Sequence, residues 1–107
     1  MQFQEIIQRA NIIRKKYEKL EIQKYGQSWS REQIMSGFVG DVGDLSKIIL
    51  AKEGVRDIKN ANGKLKHELA DCLWSVLILA NEYNIDIEKE FTKVMNNLSQ
   101  KIEKELK

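Results

Sequence analysis

Two short acidic pairs, Asp41-x-x-Asp44 and Glu68-x-x-Asp71, carry the chemistry that this sequence offers. Side chains three apart on a helix lie on neighbouring ridges, so each pair aims two carboxylates at one point. At about 100° per residue, Asp41 falls between Ile34, Leu45 and Ile48, near the middle of an apolar stripe, and Asp44 falls on its edge. Glu68 projects near Leu65 and Cys72, and Asp71 toward the side of Trp74 and Ile78. A carboxylate among hydrocarbon is expensive unless something compensates it. Two compensations stay open at this point. Four oxygen-bearing side chains from two helices suit a hard divalent cation such as Mg²⁺, and a buried salt-bridge network with Lys47 or Lys66 would also serve. Mg²⁺ usually combines a few carboxylates with waters and substrate phosphates, so the metal reading points to phosphate chemistry with water as nucleophile.

Four helices are expected to position these groups. Phe3, Ile6, Ile7, Ala10, Ile13 and Tyr17 recur at three- and four-residue spacing and predict a helix over about 3–23. Tyr25-Gly26-Gln27-Ser28 breaks it, and Ser30 with Gln33 forms a capping box for a second helix from Arg31 to Glu53. Ile34, Phe38, Val42, Leu45 and Ile49 share one face of that helix, and Gly54 closes it. Residues 55–63, ending Asn60-Ala61-Asn62-Gly63, hold the turn chemistry of a loop. A third helix over about 64–83 is apolar almost all round from Leu69 to Ala80, which predicts the central helix. Asn84 closes it. Asp86 caps a fourth helix running to about Glu105, with Ile87, Phe91, Val94, Met95, Leu98 and Ile102 expected inward. Short connections favour a four-helix bundle. Gly37, Gly40 and Gly43, at a three-residue period inside the second helix, permit close helix approach and do not form a phosphate loop.

Composition narrows the setting. A chain of 107 residues without proline, 32% charged and rich in helix formers, reads as one all-α domain over 1–107. A domain this small gains from sharing its core, so a homo-oligomer, a dimer or dimer of dimers, is expected. The net charge of +2 is too small for a nucleic-acid partner. No segment approaches the apolar length of a membrane span. Cys72 is the lone cysteine and fits a reducing compartment. The first sixteen residues lack the uninterrupted apolar stretch of a signal peptide, so the expected location is the cytoplasm.

Gly40-Asp41-Val42-Gly43-Asp44-Leu45, then Glu68-Leu69-Ala70-Asp71-Cys72-Leu73-Trp74, then Asn84-Ile85-Asp86-Ile87-Glu88 resemble the MazG-like nucleotide pyrophosphohydrolases of the all-α NTP pyrophosphatase superfamily. The tryptophan in Ser28-Trp29-Ser30 matches a recurrent feature of that family, and the resemblance covers about residues 28–98. It implies an oligomeric helical bundle with sites at or near subunit contacts. The implied reaction is Mg²⁺-dependent hydrolysis of a nucleoside triphosphate to monophosphate and pyrophosphate, with Mn²⁺ as a possible substitute. Asp41, Asp44, Glu68 and Asp71 would be the metal-binding and catalytic residues. Two departures stand out. Asp-x-x-Asp replaces the usual Glu-x-x-Glu, one methylene shorter at each position. The Lys and Asn that relatives carry four apart on the last helix align with Val94 and Leu98, while Lys93 and Asn97 lie one residue earlier, about 100° round the helix. A catalytically weak or inactive metal-binding module of the same fold is therefore the alternative.

Trp29 is a candidate base platform or a helix-entry residue packed on the core, and Lys47, Lys93 and Asn97 are candidate phosphate contacts. Trp74 reads as core or subunit interface, Cys72 as a small buried hydrophobe, and His67 as a solvated side chain pointing away from Glu68. The alternation of Lys and Glu from Lys101 to Lys107 reads as a solvated helix end.

Overall fold

A computed structural model describes residues 1–106, and the last residue of the expected charged helix end, Lys107, lies outside it. The chain is all-α: α1 (Phe3–Tyr25), α2 (Arg31–Lys52), α3 (Ala61–Glu82) and α4 (Ile87–Glu105). The ends follow local chemistry. The Ser30 hydroxyl accepts from the Gln33 N–H at 3.2 Å, and the Gln33 side chain accepts from the Ser30 N–H at 2.8 Å, which closes the expected capping box. Past α2, Val55 N–H reaches back to Leu50 O at 2.8 Å and Gly54 N–H to Ala51 O at 3.2 Å, with Gly54 left-handed at φ 80°. The same pair of bonds ends α3, from Ile85 to Ala80 and from Asn84 to Asn81, with Asn84 at φ 55°. Both are Schellman closures, one using glycine and one asparagine. Asp86 caps α4 by accepting from Lys89 N–H at 3.2 Å.

One boundary differs from expectation. α3 starts three residues early, because Asn60 takes a left-handed conformation (φ 54°) and folds its side chain over Gly63. A Cβ on Gly63 would come within 2.6 Å of that amide, so the glycine belongs to the helix's first turn and not to the loop.

α3 is the central helix. It packs most extensively on α2 and also on α1, with Ala10, Ile34, Ile48, Leu77, Ile78 and Ala80 buried where the three meet. α4 departs from the expected bundle. Its Phe91, Val94, Met95, Leu98 and Ile102 are 40–61% exposed, and every residue from Lys89 to Leu106 is exposed. Its start meets the body, where Gln4 donates to Glu88 at 2.5 Å. The radius of gyration, 17.2 Å, exceeds the roughly 13 Å of a compact chain of this length. The strong apolar stripe that predicted an inward face on α4 is real, but among the described residues it stays exposed. Gly40 and Gly43 tell the same story, since among the described residues a Cβ added on either would meet nothing within 4 Å, and the expected close helix approach is not made there.

Candidate functional site

The contact between α2 and α3 brings the acidic pairs together. Asp41, Asp44 and Glu68 each offer an oxygen within 4.8 Å of the others, and Glu68 also joins His67 and Asp71 in a second such group. Glu68 therefore links all five side chains into one cluster. One of its oxygens, Oε2, is buried and has no hydrogen-bond partner. Among the described residues, no lysine or arginine pairs with any of the four carboxylates. The salt-bridge network with Lys47 or Lys66 does not form, and Lys47 is exposed. Among the described residues, the basic side chain that meets the cluster is His67, whose Nε2 lies 3.1 Å from Asp71 Oδ2 while its side chain remains 71% exposed. His67 is solvated as expected, yet it sits on the rim of the cluster instead of pointing away.

Unmatched negative charge is visible in the electrostatics. Burial, and then the charges of Asp71 and Asp44, push the Asp41 carboxyl above its ordinary range, with His67 opposing. Burial, Asp41, Asp71 and Asp44 push Glu68 the same way, with His67 again opposing. Burial, with the charges of Asp41, Glu68 and Asp71, also raises the Cys72 thiol, which disfavours the thiolate a nucleophile would need.

Beside the cluster opens a cleft of about 400 Å³ into which Asp41, Asp71 and His67 face, walled by Trp29, Tyr17, Trp74, Arg14 and Glu21. Trp74 donates its indole N–H to Ala10 O at 3.0 Å and lies against Tyr17 with ring centroids 5.6 Å apart. Trp29 is 45% exposed, and its ring rests on Gly37, where an added Cβ would come within 3.1 Å of Cζ3. The expected role of Gly37 thus changes: it admits an indole, not a helix.

Residues 30–105 match the profile of the MazG nucleotide pyrophosphohydrolase domain. The chain belongs to the MazG family. Searches of curated proteins and of solved structures gave no significant match. The matched MazG segment holds all four carboxylates, whereas Arg14, Tyr17, Glu21 and Trp29 precede it and build the far wall of the cleft.

The MazG family is typically divalent-metal dependent, and the cluster passes a test of fit for such an ion. Opposite ligands of an octahedral Mg²⁺ stand about 4.2 Å apart, close to the 4.8 Å within which the three carboxylate oxygens already lie. A cation would also give Glu68 Oε2 the partner it lacks and relieve the repulsion that raises Asp41 and Glu68. Lys93 and Asn97 are not brought to this site. They line a shallow depression on α4 with Asp86, Glu88, Lys89, Thr92 and Asn96.

Arg14 and Glu21 escaped the sequence reading. They are 6% and 9% exposed, and Arg14 Nη1 and Nη2 donate to Glu21 Oε2 and Oε1 at 2.8 and 3.2 Å. A signal was present. Ala10, Arg14, Tyr17 and Glu21 follow one another at helical spacing along α1, so two charges interrupt an apolar face as Asp41 does on α2.

Proposed function

We propose that this chain is a Mg²⁺-dependent nucleoside triphosphate pyrophosphohydrolase that cleaves between the α- and β-phosphates to give nucleoside monophosphate and pyrophosphate. The single observation that carries the reading is a carboxylate cluster, with Glu68 Oε2 buried and without a partner, opening onto an aromatic-walled cleft. Asp41, Asp44 and Glu68 would hold the metal, with Asp71 completing the set. Bound there, Mg²⁺, or Mn²⁺ in its place, supplies charge neutralisation for the triphosphate and for the charge that develops in the transition state.

The chain's own groups do the rest. His67 engages Asp71 Oδ2, which fixes the Asp71 carboxylate at the edge of the cluster, where it would complete the metal site and orient the attacking water. Trp29 offers an exposed indole face on which a base stacks, and the cleft shields that base from water. Lys47 is exposed on α2, one turn beyond Asp44, where it meets phosphate oxygens.

The same reading requires more than one copy of the chain. The apolar stripe of α4 has no cover within one chain, and a second copy buries it. Lys93 and Asn97 ride on that helix, so they contact phosphate only across such an interface. Light scattering should give a dimer or dimer of dimers, and a mass near the 12.5 kDa of one chain would reject it. A cytoplasmic location accords with the lone Cys72, and among the described residues no helix is long and apolar enough to cross a membrane.

The deciding experiment incubates the pure protein with Mg²⁺ and each of the common ribo- and deoxynucleoside triphosphates and separates pyrophosphate from orthophosphate. Pyrophosphate with monophosphate supports the reading. One feature favours a second reading: Asp41 and Asp44 are each one methylene shorter than the glutamates usual at these positions in the family. If no nucleotide is turned over with Mg²⁺ or Mn²⁺ while metal still raises the melting temperature, the chain is a metal-binding helical module without turnover.

A further inference from the structure

The connection from α1 to α2 has few anchors. Gly26 turns left-handed (φ 80°) and donates back to Ile22 O at 2.9 Å, and Ser30 is held by Gln33 of its own helix. Between them, the backbone N–H of Trp29 donates 2.8 Å to Glu21 Oε1. That oxygen also accepts from Arg14 Nη2, while Glu21 Oε2 accepts from Nη1. The guanidinium therefore holds the carboxylate in a bidentate fork, and the carboxylate holds the loop. A fork of this kind fixes direction as well as distance, which a single contact does not.

A buried ion pair is weak grounds for stability, because hydrocarbon of similar volume often serves as well. What hydrocarbon cannot do is accept a hydrogen bond from the loop. The third bond, to Trp29, ties the ion pair to a residue that lines the cleft.

We propose that Arg14 and Glu21 are positioning residues for the substrate's base: Glu21, oriented by Arg14, sets the Trp29 backbone and so aims its indole across Gly37 at the mouth of the cleft. This rests on the reading above in taking Trp29 as the base platform. The assignment extends the functional unit to α1, outside the segment that matches the family profile. Indirect action of this kind alters affinity more than turnover, since the indole does not touch the reacting phosphorus.

The test uses the whole 107-residue chain in its native assembly. The chain has two tryptophans, so a ¹⁵N-labelled sample gives two indole N–H signals, and Trp29→Phe assigns them. Glu21→Ala should shift or broaden the Trp29 signal and raise KM for the best nucleoside triphosphate about tenfold, the loss of roughly one base–aromatic stack, with kcat within about twofold. Glu21→Gln, which keeps an acceptor oxygen, should recover part of both effects. Because Glu21→Ala strands a buried charge, the decisive variant is the double substitution Arg14→Met with Glu21→Leu, which restores apolar packing without restoring the acceptor. Positioning requires that this variant regain thermal stability while the Trp29 signal stays displaced and KM stays raised. A wild-type Trp29 signal in the stable double variant would overturn the proposal. If the wild-type protein turns over no nucleotide, the functional reading fails separately, and the indole signal of the nucleotide-free protein still decides whether Glu21 places Trp29.

Discussion

Glu21 on α1 and Glu68 on α3 are both glutamates withdrawn from water, and their surroundings treat them in opposite ways. Burial alone would raise Glu21, but the hydrogen bonds from Arg14 and from Trp29 N–H, with the Arg14 charge, hold it below its ordinary range. Glu68 has burial and three neighbouring carboxylates acting in one direction, with only an exposed histidine against them. Every oxygen of Glu21 is used, whereas one oxygen of Glu68 has no partner. A fold that satisfies one carboxylate so fully leaves an oxygen of the other without a partner, a demand that a cation would answer.

The largest effect that would sharpen this contrast lies on the satisfied side. Arg14→Met leaves Glu21 buried without its cation and should destabilise the fold by about 3–5 kcal/mol. Asp41→Asn removes one charge from a repelling group and should raise the metal-free melting temperature by a few degrees. Calorimetry on both variants checks the pair. Equal destabilisation by the two would mean that the acidic cluster is as well compensated as the ion pair, and the contrast would be lost.

Chemistry comes next. A cation held by Glu68 acts most strongly on charge that grows in the transition state, so Glu68→Gln and Asp71→Asn should each lower turnover by at least about a hundredfold. Cys72→Ser should leave turnover nearly unchanged, because burial and its acidic neighbours already disfavour the thiolate. Pyrophosphate release under saturating nucleotide measures all three.

Much of this was legible in the residues, and what was not has a physical reason. Asp41 stood against an apolar pattern, and capping chemistry at Ser30 and Asp86 located two helix starts correctly. The family followed from the paired motif. The same pattern logic applied to α1 exposes Arg14 and Glu21, but two charges of opposite sign on a helix of mixed composition are a weaker signal than one acid in an apolar stripe. The start of α3 was missed because a left-handed Asn60 over Gly63 uses loop-type residues to begin a helix. For α4, periodicity identified the apolar face but not its cover. Hydrophobic spacing states that a face is buried somewhere, and only geometry says whether the same chain supplies the neighbour.

A metal titration separates the two regions again, more gently. Saturating Mg²⁺ at ten- to a hundredfold excess over its dissociation constant should stabilise the native state by about 1.4 to 2.7 kcal/mol through linkage alone. Asp41→Asn should shrink that increment, whereas Glu21→Gln should leave it intact because Glu21 belongs to no metal-competent group. An undiminished increment in Asp41→Asn would remove Asp41 from the ligand set.

The smallest expected effect is in the pH dependence, where the two regions differ in sign. Glu21 is depressed from 4.5, so it stays ionised in the folded state when its unfolded counterpart has protonated. Its contribution is fully present above the unfolded value and is lost as pH falls through the lower, folded one. Asp41 and Glu68 are raised from 3.8 and 4.5, so the folded state takes up protons first, and acidification through their raised values adds stability until the unfolded values are reached. Metal-free protein should therefore melt at higher temperature as pH falls from neutral toward the ordinary carboxylate range, and at lower temperature below it. Asp41→Asn should flatten the rise. Saturating Mg²⁺ should reverse it, because protons then compete with the cation for the same oxygens and acidification releases a stabilising ligand. A rise of equal size with and without metal would place the titrating charge away from the cluster and leave its repulsion without thermodynamic consequence.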